Sequence, residues 1–521
     1  MSAVGPAAAV ARFGELRAGP TAAAVFAVAL AAYLANGAVL PGHDAAPNVA
    51  MAVALVEEGR VTFTPSRDPS LFLWDLLTPT GVRTSHLTGL DVRVGGSTAA
   101  DLRHRGLLTS RAPYYLVPVA GADPASGEPR FTSTFGPGPA VAAAPVFLVA
   151  RWLGPLAGDP ARAWRIGKLA AALMTAGAAA ATWLACRRLA SPGAALVLAG
   201  AVALGTPLWS STSQALWQHA PDTLFLALGA LALLDARERW GRAALAGLAL
   251  AAATACRPTS GLFAAAGLFL LLGRPRSALA FAAGALPVAV ALAAWNHRFF
   301  GAVLASGQLL ASRGVALEKT GSPGLWQTPL LEGLAGVLVS PSRGLLVFSP
   351  FLLLAAGGVA LELRRRRLSP LLPLALAAVA VIAVEAKWFD WWGGWAYGPR
   401  RLGDLAPVLA MLAAPAMAWV AEARWRRAAL AAAIGWAVLV QAVGALAYDL
   451  DGWNARRDAA GVALDVDRPE HRGRLWSVTD SQIGHYLSHF SEARARKAAG
   501  EQRWLERFGA ARPIDSERAT R

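Results

Sequence analysis

Charge is what this chain has least of. Only 16% of its 521 residues are Asp, Glu, Lys or Arg, where a soluble domain carries roughly a quarter. With 55% hydrophobic residues and a mean hydropathy of +0.42, the deficit excludes an ordinary soluble globule. Cysteine is nearly missing as well. Cys186 and Cys256 each sit in or beside an apolar run, so there is no disulfide framework. No Walker loop, no Gly-x-Gly-x-x-Gly before a strand and no zinc-ligand spacing is present. Those absences argue against a nucleotide-driven pump and give no reason to expect a metal. Acids are scarce beside bases, 33 against 49, for a net charge of +16. A surplus of this size is compatible with nucleic-acid binding. Here, however, the arginines fall in short clusters between apolar runs, as cytoplasmic loops of membrane proteins do. No nucleic-acid partner is expected.

What is abundant is the long Ala/Leu/Val run. About 20 apolar residues cross the hydrocarbon as a helix, and a barrel would show short alternating segments instead. Apolar segments run over 20–40, 166–186, 193–209, 221–236, 243–256, 259–273, 277–295, 345–361, 369–386, 405–421 and 428–447. The first is too long for a signal core and leads into Pro-Gly, so it reads as a retained span. Basic clusters lie at Arg12/Arg17, Arg187/Arg188, Arg237–Arg242, Arg274/Arg276, Arg364–Arg367 and Arg424–Arg427. If all face the cytoplasm, each interval between them must hold an even number of crossings, and each does. This predicts an all-α polytopic membrane protein of about eleven spans, N-terminus inside and C-terminus outside. Residues 1–447 form the membrane domain. Residues 448–521 form an outer tail or small cap with helices at about 480–508. The stretch 138–154 is apolar enough to span, but it would break parity; short and Pro-interrupted, it reads as a helix lying in the outer interface of the first outer loop, 41–165.

The polar loops then gather outside. Asp44, after the first span in "GHDAAPNVAMAVALVEEG", reads either as a solvated helix-start residue, with Pro47 in the first turn, or as a functional acid. "WSSTSQALWQHAP" followed by Asp222 offers Trp217, His219 and Asp222, which read as interfacial anchors and a helix cap or as site residues. Arg343 in "SPSRGLLVFSP" runs against the positive-inside bias. It either snorkels or answers a local anion. The loop "EAKWFDWWGGWAYGPRRLGDLAP" packs Lys387, Arg400 and Arg401 among Trp392, Trp395 and Tyr397. An aromatic belt does not account for its two adjacent glycines or three cations. Aromatic faces beside cations suit a sugar next to a phosphate.

Five local patterns, over roughly residues 20–310, resemble the GT-C superfamily of membrane glycosyltransferases. The branch is that of protein O-mannosyltransferases and the aminoarabinose transferases that modify lipid A. The patterns are "GHDAAPNVAMAVALVEEG", "ARAWRIGKLAAALMTAGAAAATWLACRRL", "LWQHAPDTLFLALGALALLDA", "GLALAAATACRPTSGLF" and "WNHRFFGAVLASGQ". The resemblance implies a catalytic carboxylate in the first outer loop, here Asp44, acting as the base that deprotonates the acceptor. It implies a polyprenyl-phosphate sugar as donor and inversion at the anomeric carbon. The mannosyltransferases often show Asp-Glu at this place, where this chain has His43, Asp44 and Ala45, so the acceptor class stays open.

By residue type and side of the membrane, Arg400, Arg343 and Arg257, with Lys387 and His219 behind them, are the candidates for the donor phosphate. Trp392, Trp395, Tyr397, Trp217, Asp222 and His43 are the candidates for sugar and acceptor. Arginines supplying the charge would make a metal unnecessary. The partners expected are a polyprenyl-phosphate sugar, membrane lipids and an acceptor glycan, lipid or protein. The expected place is a bacterial plasma membrane, with the site facing outward. A transporter or flippase of lipid-linked glycans would carry broken helices and polar groups near mid-span; a non-catalytic scaffold is the third reading. The constellation requires Asp44, Arg400 and Arg343 to line one outer cavity.

Overall fold

A computed structural model describes residues 17–78, 81–86, 114–120, 130–365, 369–458 and 461–509. Arg12, Arg366, Arg367 and the tail beyond residue 509 lie outside the described residues. Every one of the eleven apolar segments is helical. In chain order the helices are α1 Ala18–Leu34, α2 Ala46–Glu58, α3 Gly138–Trp152, α4 Pro160–Cys186, α5 Pro192–Gly205, α6 His219–Leu233, α7 Trp240–Cys256, α8 Gly261–Leu271, α9 Pro275–Phe300, α10 Gly307–Thr320, α11 Leu330–Val339, α12 Leu354–Arg364, α13 Leu371–Lys387, α14 Ala406–Ala413, α15 Arg424–Ala447, α16 Gln482–Ser488 and α17 Phe490–Gly509. Local chemistry sets their ends. Asp159 caps α4 by accepting from the Arg162 N–H at 3.0 Å, with Pro160 in the first turn. Ser191 and Pro192 do the same for α5. Gly301 ends α9 in the left-handed conformation.

Four helical stretches are long and apolar enough to cross a membrane: Pro160–Cys186, Pro275–Phe300, the continuous Arg400–Glu422 and Arg424–Ala447. Their environments differ. The apolar window of Arg400–Glu422 is 83% buried, so it runs through the middle of the bundle, whereas that of α9 is 11% buried and turns its apolar surface outward. α9 is held by one helix above all, α7. A Cβ on Gly247 would lie 2.0 Å from the Phe281 carbonyl oxygen, and one on Gly284 equally close to that of Ala244. Only glycine at both places lets the two backbones touch, which is how helices associate where lipid competes for every apolar side chain.

Three features depart from the sequence expectation. The segment 345–361 is not one helix. A short turn, Leu345–Phe348, gives way to a 3-10 turn at Pro350 before α12 begins. Proline lacks the N–H to continue, and the Ser349 hydroxyl donates to the Gly205 carbonyl at 2.6 Å. The outer loop 296–344 contains α11, whose ten residues are too few to read as a span. The fold is also not purely helical, because the first loop contains two antiparallel pairs. β1 (Leu73–Thr78) pairs with β2 (Gly81–His86), Leu73 opposite His86. β3 (Leu116–Pro118) pairs with β4 (Phe131–Ser133), and Phe131 bridges to Phe63. These short strands are held by aromatic packing, Phe72 against Phe131, and carry too few residues to show a period of two.

The segment after Tyr448 packs into the same core. Trp453, Val466, Leu475, Ile483, Tyr486 and Ala493 are all buried in the cluster that includes the membrane helices.

Candidate functional site

Asp44 sits on the turn that enters α2. The backbone caps that helix at Ala45 without help from any side chain, so the carboxylate is available for other work. Its Oδ2 is 3.1 Å from an Arg400 guanidinium nitrogen, and its Oδ1 accepts from the Tyr114 hydroxyl. The two side chains are partly open, 19% and 13% exposed. The Arg400 guanidinium lies over the Trp217 ring at 4.5 Å. It also donates to the Gly393 carbonyl at 3.3 Å, while its Nε is buried with no hydrogen-bond partner. Asp44, Arg400 and Trp217 thus come together from segments far apart in sequence.

Several interactions fix the Asp44 turn. Leu40 N–H donates to the Gln214 carbonyl at 3.0 Å, and Val39 N–H donates to a Glu501 carboxylate oxygen on α17 at 3.0 Å. The Asn48 amide bridges to the Leu216 carbonyl at 3.0 Å. His43 stacks on Tyr115 and meets the edge of Trp504, also on α17, at 4.9 Å. The C-terminal helix therefore rests directly on the residues beside Asp44.

The loop that brings Arg400 is shaped by glycine. Gly393 and Gly394 take φ of +75° and +65°, and Gly398 takes +56°, a region L-residues with side chains rarely occupy. The turn points Trp391 and Trp392 back against the bundle and lets the chain return as the 3-10 turn Arg400–Leu405, which leads into α14.

Other expected site residues go elsewhere. Arg343 is 2% exposed, and its guanidinium donates to neutral oxygens only: the carbonyls of Ser342, Trp392 and Gly394, Gln482 Oε1 at 2.7 Å and Asn454 Oδ1 at 2.8 Å. No carboxylate answers it. Burial pushes its guanidinium down to about 10, so it stays charged at neutral pH. It shares with Arg400 a cavity of about 10 Å³, which Asp44 does not line. That is room for about one water. The three-residue cavity expected from sequence is therefore a two-residue pair with Arg343 behind it.

Arg257 and His219 are both 5% exposed, and both are committed to Asp404: His219 Nδ1 lies 2.9 Å from its carboxylate, and Arg257 donates to it directly. Asp222 is buried and accepts from the Ser260 hydroxyl at 2.6 Å. Lys387, the last residue of α13, is half-buried and forms no ion pair among the described residues. Trp392 is 3% exposed and donates to Asp467 at 2.9 Å; Tyr397 is 1% exposed and donates to the Val440 carbonyl at 2.8 Å. Trp395 is more open, at 38%, and donates to Asp465 at 2.8 Å.

Sequence reading missed the ion-pair chain to which Arg257 belongs. From Asp404 it passes through Arg257 to Glu385 (2.6 Å), Arg401 (3.0 Å), Asp390 (3.1 Å), Lys319 (2.8 Å) and Asp467 (2.9 Å). Three cations alternate with four carboxylates under the aromatic loop. Two signals pointed toward it: Glu385 at the end of an apolar run, where a carboxylate needs a partner, and the second arginine of Gly-Pro-Arg-Arg. Tyr114 was missed too; its signal was an adjacent Tyr-Tyr in a chain with six tyrosines. Among the described residues no cluster of three His, Cys, Asp or Glu could hold a metal ion.

No family model and no curated protein matches the chain. Solved structures do. The archaeal oligosaccharyltransferase AglB of Archaeoglobus fulgidus, in complex with an inhibitory peptide and a dolichol-phosphate, matches at 12% identity and a TM-score of 0.46, over 95% of this chain and 56% of that one. ArnT of Cupriavidus metallidurans bound to undecaprenyl phosphate matches at 13% and 0.45, over 95% and 74%. The A. fulgidus oligosaccharyltransferase with zinc and sulfate matches at 16% and 0.42, over 60% and 45%. The chain spans about half the length of the oligosaccharyltransferases it is matched with. Likeness at this level leaves the functional reading to the site's own residues.

Proposed function

We propose that the protein is an inverting glycosyltransferase that moves a sugar from a polyprenyl phosphate to an acceptor at the outer face of a bacterial plasma membrane. The observation that carries this is the pairing of Asp44 with Arg400 over Trp217, a carboxylate and a partly unpartnered guanidinium at one opening. Asp44 accepts the proton of the acceptor hydroxyl. The acceptor oxygen forms its bond to the anomeric carbon as the bond from that carbon to the phosphate oxygen breaks. The electron pair leaves with the polyprenyl phosphate, and Arg400 neutralises it. The Tyr114 hydroxyl orients the carboxylate. Arg343, Arg257, Lys387 and His219 act at most through the framework around Arg400. The topology that goes with this reading has about eleven spans with the N-terminus inside.

Transfer from a synthetic polyprenyl-phosphate sugar panel to a cell-envelope extract, with purified protein in detergent, tests it. Asp44→Asn should lower transfer by at least about a hundredfold while the unfolding transition stays in place. Unchanged transfer would remove Asp44 from its role. A flippase would instead need a site near mid-span. The broken helix at Pro350 does not offer one, because its freed serine is satisfied by the Gly205 carbonyl.

A further inference from the structure

On the far side of the aromatic turn from Arg400 lies a second cavity, of about 240 Å³. Trp391 and Trp392 form its inner wall and Trp476, from the C-terminal segment, its outer one. Trp391 and Trp476 pack at 5.4 Å, and Trp476 keeps 40% of its surface exposed. Arg472 lies flat on Trp392 at 4.7 Å and donates to the Lys319 carbonyl at 2.8 Å, so its charge is turned into the wall. The rim is rich in acceptors. Glu332, in the first turn of α11, is exposed and has no ion pair among the described residues. The Gln327 amide nitrogen is directed at the Thr320 hydroxyl at 2.5 Å, which leaves its oxygen toward the cavity side.

We propose that this cavity is a binding site for a carbohydrate, the non-lipid acceptor of the transfer reaction. The inference rests on the glycosyltransferase reading above. Three properties select the ligand. Aromatic faces are negative and attract the C–H edges of a pyranose ring. Surplus acceptors at the rim, a carboxylate and an amide oxygen, call for a ligand rich in hydroxyl donors. The volume falls below the roughly 300 Å³ at which pockets for drug-sized ligands begin, which suits a sugar unit and not a lipid tail. A phosphate is disfavoured, because the nearest free charge is the Glu332 carboxylate. Trp391 and Trp392 also line the small cavity beside Arg400, so a sugar held here stands one aromatic turn away from the donor end.

Saturation-transfer difference NMR on the purified full chain in detergent tests the site directly. The probes are the methyl glycosides of mannose, glucose, galactose and arabinose, with a Ser/Thr-containing peptide and undecaprenyl phosphate as controls. Saturation should reach at least one glycoside. Trp476→Ala should weaken its binding about tenfold. Glu332→Gln, at an exposed position, should weaken it several-fold without moving the unfolding transition. Asp44→Asn should bind the glycoside as the wild type does. No transfer to any glycoside, transfer unchanged in both cavity variants, or transfer to the peptide alone would overturn the proposal. Those outcomes leave the role of Asp44 to be decided by its own turnover assay.

Discussion

Glu385→Gln tests the ion-pair chain where it is most exposed to failure. Glu385 ends α13 with 4% of its surface accessible. One carboxylate oxygen accepts from Arg257 at 2.6 Å, the other from Arg401 at 3.0 Å. Glutamine keeps the shape but has one oxygen. Its amide NH₂ must then face a guanidinium, donor against donor. Removing one partner of a buried pair costs about 3–5 kcal/mol. Both arginines keep a second carboxylate, Asp404 for Arg257 and Asp390 for Arg401, so the lower end, about 3 kcal/mol, is expected.

The assay is equilibrium unfolding in mild detergent by titration with SDS, read through tryptophan fluorescence. Arg401→Gln alone, and combined with Glu385→Gln, completes a double-mutant cycle. The double variant should be more stable than the sum of the single losses by about 1–3 kcal/mol, since it removes a charge of each sign. A loss below about 1 kcal/mol, the range of exposed pairs, would mean that water reaches these charges. The description of a desolvated chain would then fail.

Tyr114→Phe removes the hydroxyl that donates to Asp44; transfer should fall about tenfold, with the unfolding transition unmoved, as measured in the same turnover assay as Asp44→Asn. Gly247→Val would put a side chain 2.0 Å from the Phe281 carbonyl, forcing α7 and α9 apart; a destabilisation of about 3 kcal/mol or more is expected from SDS titration. The third prediction concerns pH. Burial pushes the His485 imidazole down to about 4, with His489 stacked on it at 5.0 Å, Arg496 and Arg456 adding to the shift and Asp449 opposing it. The unfolded chain therefore binds its proton first, and stability present above about pH 6.5 is lost as pH falls toward 4. After discounting for solvent at this half-open position, the loss is about 1 kcal/mol, and His485→Gln should flatten that slope.

The parts of this molecule that were legible in the sequence are those written in consecutive residues. The apolar segments announce themselves because a membrane helix satisfies every backbone hydrogen bond within its own twenty residues. Asp44 and Arg400 were legible for a related reason: each stands beside a run whose meaning was already clear, and topology put both on one side. Pairings across the chain were not legible. Nothing near Glu385 names Arg257, and nothing near Val39 names Glu501. The strands of the first loop depend on Phe63, Phe72 and Phe131 finding one another, which no local period reports. Arg343 shows the error that follows. A lone outer arginine implied an anion, because charge was the only partner visible in one dimension. In three dimensions two carboxamides and three carbonyls suffice.

That substitution of neutral oxygens for a carboxylate has a consequence for the site. Had a carboxylate stood beside Arg343, it would have lain near Arg400 and competed with Asp44 for the guanidinium. Neutral partners leave Arg343 a net positive neighbour, and its charge lowers the affinity of Arg400 for its own proton only slightly while adding to the field at the opening. The carboxylates that do lie close, Asp404, Glu385 and Asp390, are each held by Arg257, Arg401 or Lys319. Asp44 is thus the anion that faces Arg400 directly, and Arg400 is the cation at that opening with a donor not yet engaged. An incoming phosphate would meet a cation whose competitors have been tied down, beside a carboxylate oriented by Tyr114 to accept a proton.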